Sequence, residues 1–511
     1  MDNWTDGYVT DLSYTFGYYD EMNPVRIAYL LKYAGYQVPQ ISNAFEMGIG
    51  QGISVNIHSL TSDINWSGND FNPEQVTFAK QLAELTNAQL TDQSFKELTE
   101  DDTCLRFDYI CLHGIWSWIN DENRKNIVKF CQNRLNVGGI LYISYNTRPG
   151  HAAMVPVRKL MLEYSDITLA SSASNNTKID KSLNFIDSLR DVGAKFFEVN
   201  GSLNDKIKSI KSKPVNYVAH EYFNRDWEPM DITETADFLA PAKLTYLGSA
   251  DYIHQIPELN YTKEQLGLLA KLDNKIFAEK VGDYITNSQF RKDIWVRGGE
   301  KVSDFERLDN LSAQSFCLTN NSDEFEYVVN GLSGVANLQE KIYKPIIDLF
   351  RSHSILTNRD IFNKLKDKHI SLTAICEATM VLCVKKVVSP CYSVSDAKKN
   401  RAACKKFNSK ICSYSKYRKG HNTLASPVTG GGVGVSKFSQ MFVGYFLDGN
   451  SEKDPDRVVR YVDELLRSSG QKVQKDGQTL ESDESQLSYI TELVNKFLTS
   501  ELHFLKRLMI L

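Results

Sequence analysis

The stretch Ala44-Phe45-Glu46-Met47-Gly48-Ile49-Gly50-Gln51-Gly52-Ile53-Ser54-Val55 decides the fold. A short apolar run ends in an acid, glycines follow at every second position, and an apolar segment comes next; this is the pattern of a strand, a tight turn and a helix. Glycine permits the turn and lets a ligand approach the backbone closely. The first turn of the helix then presents free N–H groups to that ligand. Alone, Gly-x-Gly-x-Gly is a weak signal, because glycine is the usual turn residue.

Two acids follow this turn at positions that indicate a nucleoside ligand. A second strand-like run ends at Asp70, eighteen residues after Gly52, near the spacing at which a doubly wound fold places an acid on ribose hydroxyls. A third run ends at Asp92, with Ser94 and Phe95 after it, where the same fold would bring an adenine ring. By residue type alone, a helix N-cap explains the acid and the serine equally well. The glycine turn and Asp70 together predict a nucleoside site.

Two further strand-like runs complete the pattern, at residues 107–112 and 140–146. The first is almost continuously apolar, as buried parallel strands are, and strands alternate with helical segments, so we predict an α/β protein with a Rossmann-like, doubly wound sheet. His113, Trp116 and Trp118 follow the first run, at the strand end where this fold binds ligands. A lone histidine is more often structural, whereas clustered large aromatics line a pocket or a domain interface.

Composition excludes several function classes. The 511 residues allow about three domains. The 59 basic and 63 acidic residues leave a net charge of -4 without a basic stripe, so nucleic acid is an unfavourable partner. The N-terminus has no secretory pattern and no apolar run is long enough to span a membrane, which predicts a cytoplasmic protein without membrane insertion. The nine cysteines form no Cys-x-x-Cys, so we expect neither a metal site nor a disulfide framework.

The motifs together resemble a known family. The chain is similar to the class I S-adenosylmethionine-dependent methyltransferases in Glu46-x-Gly48-x-Gly50-x-Gly52, Asp70-Phe71-Asn72-Pro73, Asp92, His113-Gly114, Gly138-Gly139 and Ser144-Tyr145-Asn146-Thr147-x-Pro149-Gly150. It resembles the members that carry a methyltransferase regulatory domain in Tyr217-Val218-Ala219-His220-Glu221-Tyr222-Phe223-Asn224, Phe290-Arg291-x-Asp293 and Val296-Arg297-Gly298. The match spans nearly the whole chain, and within the family the sequence is most similar to the rickettsial lysine methyltransferases that modify outer membrane protein B.

The resemblance implies the cofactor S-adenosyl-L-methionine, with S-adenosyl-L-homocysteine as its product. The glycines would hold its methionyl part, and Glu46 would orient its amino group. Asp70 would bind the ribose, and Asp92 would bind the adenine edge. The tyrosines near the N-terminus are explained either by core packing or by a lid over the sulfonium, which aromatic faces attract. The implied cofactor-binding residues are Tyr14, Tyr18, Glu46, Gly48, Gly50, Gly52, Asp70, Phe71, Asn72, Asp92, Ser94, Phe95, His113 and Trp116.

The resemblance also implies four residues near the reacting atoms, namely His113, Trp118, Tyr145 and Asn146. Methyl transfer from a sulfonium is an in-line displacement, so alignment and desolvation carry most of the acceleration. An apolar channel and the nearby sulfonium both disfavour a lysine ammonium, so the lysine can lose its proton to water. We therefore expect no essential general base. Arg148 and His151 depart from the family pattern, in which an apolar residue and an aromatic are common at these positions.

Domain organisation follows from the resemblance and from changes in the pattern along the chain. We predict a methyltransferase domain over residues 1–255, with a lid at 1–40 and an insertion at about 150–214. The interpretation for residues 256–330 is a mostly helical middle or regulatory region, which the resemblance makes a possible homodimer interface. Residues 331–511 are predicted to form a mostly helical C-terminal domain that docks a protein substrate.

Two functional hypotheses of different classes remain open. The first is a protein lysine N-methyltransferase acting on an outer membrane protein that is unfolded or extended, with another side chain or a small molecule as the alternative acceptor. The second is a catalytically silent, cofactor-binding assembly protein. The intact glycines and acids favour the first hypothesis, because a silent protein need not keep them all.

Overall fold

The computed structural model describes residues 16–102, 105–170, 172–320, 324–415, 422–450 and 453–511. The predicted lid residue Tyr14 lies outside these ranges. A seven-stranded sheet forms the centre of the N-terminal half. Its strands are β1 (Asn43–Met47), β2 (Asn65–Asn69), β3 (Gln89–Thr91), β4 (Phe107–Leu112), β5 (Leu135–Asn146), β6 (Thr245–Ser249) and β7 (Phe290–Val296).

The strand order is β3-β2-β1-β4-β5-β7-β6. Strands β1 to β5 are parallel, whereas β7 runs antiparallel to both β5 and β6. The chain reverses its strand order beside β1, and ligands bind at such a switch point in open α/β sheets. The predicted Rossmann-like α/β fold is confirmed.

The sheet is covered on both faces, which explains why its central strands are apolar at nearly every position. Successive side chains of β4 enter different hydrophobic cores, because side chains alternate across a strand. Tyr109 and Cys111 belong to one core, and Ile110 and Leu112 belong to the other.

Five helices connect the first strands. They are α1 (Pro24–Tyr33), α2 (Ile53–Thr61), α3 (Pro73–Ala83), α4 (Phe95–Glu100) and α5 (Asp121–Arg134). Two of them begin with an Asn-Pro pair, in which the asparagine caps the helix and the proline occupies a position that needs no N–H donor. Asn23 accepts a hydrogen bond from Val25 N, and Asn72 accepts one from Glu74 N.

The predicted insertion is a helical layer with its own hydrophobic core. Its helices are α6 (Arg148–His151), α7 (Met154–Thr168), α8 (Asn175–Asp191), α9 (Lys195–Val199), α10 (Ser202–Lys211) and α11 (Val215–Tyr222). Met161, Ile186 and Ile207 lie at the centre of that core. Ser174 caps α8 by accepting a hydrogen bond from Thr177 N.

The rest of the chain is mainly helical, with short strand pairs. Its helices are α12 (Ile232–Leu239), α13 (Pro257–Asn260), α14 (Lys263–Leu269), α15 (Lys275–Thr286), α16 (Asp304–Ser312), α17 (Glu340–Ser352), α18 (Asn358–Lys364), α19 (Leu372–Val384), α20 (Val394–Tyr414), α21 (Lys437–Leu447), α22 (Pro455–Ser468), α23 (Asp483–Lys496) and α24 (Leu502–Arg507). Its strands are β8 (Ser315–Leu318), β9 (Val328–Asn330), β10 (Val335–Asn337), β11 (Ile355–Thr357), β12 (Val388–Pro390), β13 (Thr423–Ser426), β14 (Gly431–Gly434), β15 (Gln474–Lys475) and β16 (Gln478–Thr479). No helix within the described ranges is both long and apolar enough to cross a membrane.

One strand of the central sheet lies where the sequence indicated a mostly helical region. Strand β7 falls within the segment predicted as a mostly helical middle region, and it separates β5 from β6 in the sheet. The central sheet therefore uses residues on both sides of position 255. Strand β6 lies at the edge of the sheet, where it pairs with β7.

The C-terminal half packs directly on the N-terminal half. Ile53 and Ile57 of α2 share a hydrophobic core with C-terminal residues such as Phe407 and Val443. The late glycine cluster forms the hairpin of β13 and β14. The ring of Tyr18 lies so close to Gly432 that an added Cβ would come within 2.9 Å of it. This glycine cluster serves close packing of the N-terminal segment.

Candidate functional site

A cavity of about 640 Å3 opens at the carboxyl ends of the parallel strands. One part of its wall comes from the glycine turn and the ends of β1, β2 and β4, including Glu46, Gly48, Gly50, Asp70, Phe71 and His113. The other part comes from the ends of β5 and β7 and from the insertion, including Trp118, Asn146, His151, Lys206, Glu221 and Phe290. The cavity thus joins the predicted nucleoside site to the insertion.

The glycine turn requires glycine at three positions for two reasons. Gly48, Gly50 and Gly52 have φ values of 67°, 53° and 71°, which L side chains rarely adopt. A Cβ on Gly48 would also overlap Ile115, and one on Gly52 would approach Ala79 of α3 to 2.5 Å. The first two glycines line the cavity, whereas Gly52 begins α2 and lets that helix pack closely.

Glu46 at the end of β1 is a buried carboxylate that faces the cavity. Its residue is only 3% exposed, and its Oε2 has no hydrogen-bond partner among the described residues. Burial raises the pKa of Glu46 to about 8. A buried acceptor without a donor is costly, and a ligand ammonium would satisfy it. This orphaned oxygen fits the amino group of an amino-acid ligand.

Asp70 is held in place by backbone donors. Its Oδ2 accepts a hydrogen bond from Gly50 N at 2.9 Å and its Oδ1 accepts one from Asn72 N at 3.0 Å. Burial raises the pKa of Asp70 to about 6, although these two donors oppose the change. A carboxylate can accept about four hydrogen bonds, so capacity remains for two ribose hydroxyls. Asn72 itself caps α3 and does not line the cavity.

The adenine end of the prediction needs a correction. Asp92 is exposed and does not line the cavity. Ser94 caps α4 in a reciprocal pair, since its N–H donates to Glu97 Oε2 at 2.7 Å and its Oγ accepts from Glu97 N at 3.3 Å. The N-cap interpretation is therefore right for Ser94. Phe95 lines the cavity, as predicted, and Phe71 does so as well.

His113 stacks against a tyrosine from the N-terminal segment. The ring centroids of Tyr19 and His113 are 4.0 Å apart with an interplanar angle of 24°. His113 Nδ1 lies 2.8 Å from Tyr142 Oη. Burial, assisted by Lys292, outweighs nearby carboxylates and lowers the pKa of His113 to about 4, so the imidazole is neutral at physiological pH.

The tyrosine of the N-terminal segment that lines the cavity is Tyr19 and not the predicted Tyr18. Tyr18 packs against Gly431 and Gly432 of β14, and its hydroxyl lies 3.2 Å from Nε2 of His58 on α2. It does not line the cavity. Tyr19 lines the cavity, and its backbone N–H donates to Ser54 Oγ at 3.0 Å. Both residues stood in the tyrosine cluster that the sequence singled out, but composition could not show which ring faced the ligand.

Trp116 and Tyr145 are also corrections, because both point away from the cavity. Trp116 is fully buried and packs edge-on against Phe238, with ring centroids 5.7 Å apart. Tyr145 is buried on the opposite face of β5, where its hydroxyl donates to Asp293 Oδ2 at 2.6 Å. Alternation along the strand then places Asn146 on the cavity side.

Asn146 and Trp118, which the resemblance placed near the reacting atoms, both line the cavity. Asn146 Oδ1 accepts a hydrogen bond from Trp227 Nε1 at 3.3 Å, and its Nδ2 lies 3.2 Å from His151 Nε2. Burial lowers the pKa of His151 to about 4, so a neutral imidazole nitrogen accepts from the amide. His151, where the chain departs from the family pattern, therefore orients Asn146.

Strand β7 supplies the part of the site that the sequence analysis missed. Phe290 lines the cavity and meets the His113 ring at a centroid distance of 5.8 Å. Next to it, Lys292 Nζ donates to Glu21 Oε1 at 2.6 Å and to Asp251 Oδ1 at 3.1 Å. Burial opposes the charge on Glu21, but Lys292 outweighs it and holds the Glu21 pKa at about 2. This ion pair fastens the N-terminal segment to the sheet.

Sequence comparisons identify relatives of this chain. The family described as a predicted methyltransferase regulatory domain matches residues 214–297. The uncharacterized protein sll1526 from Synechocystis sp. is 32% identical over 512 residues, which cover 99% of this chain and 99% of that protein. The uncharacterized protein RP789 from Rickettsia prowazekii is 25% identical over 289 residues, or 55% of this chain and 51% of that protein.

Structural comparison gives a similar result over nearly the full length. The structure of PKMT2 from Rickettsia typhi in complex with AdoHcy superimposes with a TM-score of 0.67 at 19% identity, covering 95% of this chain and 98% of PKMT2. The two proteins therefore share their fold.

Proposed function

The chain belongs to the family of class I S-adenosylmethionine-dependent methyltransferases that carry a methyltransferase regulatory domain, and on that premise we propose that it is a protein lysine N-methyltransferase. We propose as its substrate an outer membrane protein of the outer membrane protein B type, presented in an unfolded or extended form. The lysine acceptor follows from the sequence resemblance to the rickettsial enzymes. S-adenosyl-L-methionine is the methyl donor of this family.

The residues at the carboxyl edge of the sheet fit this donor. Glu46 offers an unpartnered carboxylate oxygen to the amino group, and Gly48 and Gly50 leave room for the methionyl chain. Asp70 has free acceptor positions for the ribose hydroxyls, and Phe95 offers an apolar surface for the adenine. When bound, the sulfonium supplies an electrophilic methyl group.

One observation carries the proposal, namely that the same cavity continues from the glycine turn into the insertion. A methyltransferase must present its donor and acceptor in line, in a site that excludes most water. Trp118 and Tyr222 provide aromatic lining in the acceptor part.

The neutral state of the residues around the reacting atoms favours methyl transfer to an amine. The pKa values of His113 and His151 are both lowered to about 4 by burial. Neither imidazole then brings a positive charge next to the sulfonium at physiological pH. Their roles are to pack and to orient, and the proton of the acceptor amine leaves through the solvent.

The test is transfer of labelled methyl groups from S-adenosyl-L-methionine to unfolded outer membrane protein B, read by mass spectrometry of its peptides. We expect the mass of one or more methyl groups on lysines and on no other residue type. Label on another type of side chain would support methyltransferase activity but refute lysine as the acceptor. Tight binding of the cofactor and its product without transfer to this protein or to any added acceptor would instead support the silent binding protein.

We also propose that the middle region, residues 256–330, mediates a homodimer and that the C-terminal region holds the protein substrate. Packing of the C-terminal half on α2 supports the second part, because it joins that region to the cofactor-binding helix. Sedimentation at micromolar concentration tests the dimer, and a stable monomer would refute it.

A further inference from the structure

The insertion contributes a set of chemically active side chains to the cavity. Eight residues from α10, α11 and the segment between them line it, and five of these carry a charged or phenolic side chain, namely Lys206, Lys213, Tyr217, Glu221 and Tyr222. Part of this segment belongs to the family motif at residues 217–224, to which the resemblance assigned no chemistry. Among these groups, the carboxylate of Glu221 is the one that a ligand would pair with.

Glu221 has no positive partner of its own. Among the described residues, no lysine, arginine or histidine forms an ion pair with it, and no group donates a hydrogen bond to it. Lys206 lines the same cavity without pairing to it, and lies near enough to His151 to help lower the pKa of that imidazole, after burial. Burial raises the pKa of Glu221 to about 7, as expected for a carboxylate without a cation beside it.

Two tyrosines accompany this carboxylate. Tyr217 precedes Glu221 by four residues on α11, so both lie on one face of the helix, and Tyr222 follows directly. Burial is the main cause that raises the pKa of each tyrosine, and the charge of Glu221 adds to it in both cases, which places both hydroxyls within electrostatic reach of the carboxylate. A carboxylate with aromatic rings beside it attracts a cation by ion pairing and by the negative faces of the rings.

We propose that Glu221, together with Tyr217 and Tyr222, receives the ε-ammonium group of the acceptor lysine before transfer. This deepens the proposed function and rests on it, because lysine is the acceptor there. A serine, cysteine or glutamine side chain would leave the carboxylate unpaired inside the cavity, so Glu221 selects a primary ammonium among the possible acceptors.

The binding test uses two probes that differ only in the ammonium group. N-α-acetyl-lysine methylamide and N-α-acetyl-norleucine methylamide are titrated into the full-length protein saturated with S-adenosyl-L-homocysteine, and binding is followed by ligand NMR. We expect the wild type to prefer the lysine probe by at least roughly tenfold, since a charge-assisted contact of this kind has that magnitude. Glu221→Gln should remove the preference. Glu198→Gln is the matched control, because Glu198 lies exposed on α9, outside the cavity, and should retain it.

Folding is checked in each variant through unchanged affinity for S-adenosyl-L-homocysteine, and Glu221→Leu provides a second neutral variant if the amide misfolds. An equal preference for lysine in the wild type and in the neutral variants would overturn the inference.

A labelled-methyl assay on an unfolded, lysine-bearing protein separates the two proposals. If the wild type and Glu221→Gln methylate lysines equally, the inference fails and the proposed function stands. If no lysine is methylated but the lysine preference depends on Glu221, the cation site stands and the proposed function fails.

Discussion

The ring of Tyr19 stacks on the imidazole of His113 at a centroid distance of 4.0 Å, which joins the N-terminal segment to the end of β4. The contact lies in the wall of the cavity, so the segment that carries Tyr19 closes the site from one side. An opening of this segment would expose the reacting atoms to water.

Tyr19→Ala should weaken binding of S-adenosyl-L-homocysteine by up to roughly tenfold, the value of a lost aromatic stack. Tyr19→Phe keeps the stacked ring and should bind as the wild type does. Calorimetry on the two variants gives the comparison. Equal, undiminished affinity in both would show that the segment does not cover the cofactor.

His113→Phe should retain methyl transfer and leave its pH dependence unchanged between about pH 6 and 9. The reason is that the pKa of His113 is lowered to about 4, so this residue is already neutral throughout that range. The measurement is the initial rate of transfer against pH at saturating cofactor. Loss of turnover with normal cofactor affinity would mean that the imidazole takes part in proton transfer.

Binding of S-adenosyl-L-homocysteine at about pH 7 should release close to one proton. The empty protein keeps Glu46 protonated because burial raises its pKa to about 8, whereas the amino group of the ligand requires the ionised carboxylate. Affinity should therefore increase with pH from about 6 to 8. Calorimetry in buffers of different ionisation enthalpy counts the proton. Glu46→Gln should bind more weakly without proton release, while the exposed Glu84→Gln should resemble the wild type.

Gly48→Ala should disturb the site more than a comparable change elsewhere. Its φ of 67° already disfavours a side chain, by about 1 kcal/mol, and a Cβ would overlap Ile115 in the cavity wall. Gly193→Ala is the control, because Gly193 has a similar φ of 76° and an added Cβ meets no atom within 4 Å. Both variants should lose a similar amount of backbone stability, but only Gly48→Ala should lose cofactor affinity. Urea unfolding and calorimetry together separate the two effects.

Arg291→Met should lower the free energy of unfolding by about 3–5 kcal/mol, the usual effect of breaking a buried ion pair. The guanidinium donates to Asp293 at 3.0 Å and to Asp283 at 2.8 Å, and both carboxylates are buried. Arg467→Met is the control, since Arg467 pairs with Asp463 on the surface, where solvent screens the pair and the loss should be much smaller. Urea denaturation measures both. A small change at Arg291 would mean that the carboxylates become protonated at little cost.

The sequence predicted the parallel strands well because strands buried on both faces carry their own signal. Strand β7 gave no such signal, since Arg291, Lys292 and Asp293 follow one another in it. Their charges are neutralised by residues that are distant in sequence; Lys292, for example, forms ion pairs with Glu21 and Asp251. The pattern of neighbouring residues cannot predict such pairing.

Site residues were predicted best where the backbone itself is constrained. The glycine turn, Glu46 and Asp70 depend on φ angles and strand ends, which leave traces in the sequence. The predictions that Trp116 and Tyr145 face the cavity were wrong. A shift of one residue along a strand or turn reverses the side on which a side chain lies. Glu221 was missed because a carboxylate on a helix is usually solvated, and only the folded insertion brings it into the cavity.

The position of β7 between β5 and β6 has a consequence for the order of folding. Until residue 296 is available, β5 exposes an unpaired edge, and β6 has no neighbour in the sheet, because β7 is the strand that pairs with both. During synthesis, about 150 residues after the end of β5 must therefore be made before the sheet is complete. Pairing between strands that are distant in sequence slows folding. A chain ending near residue 255 keeps every nucleoside-binding residue but leaves an open edge, which is a template for aggregation.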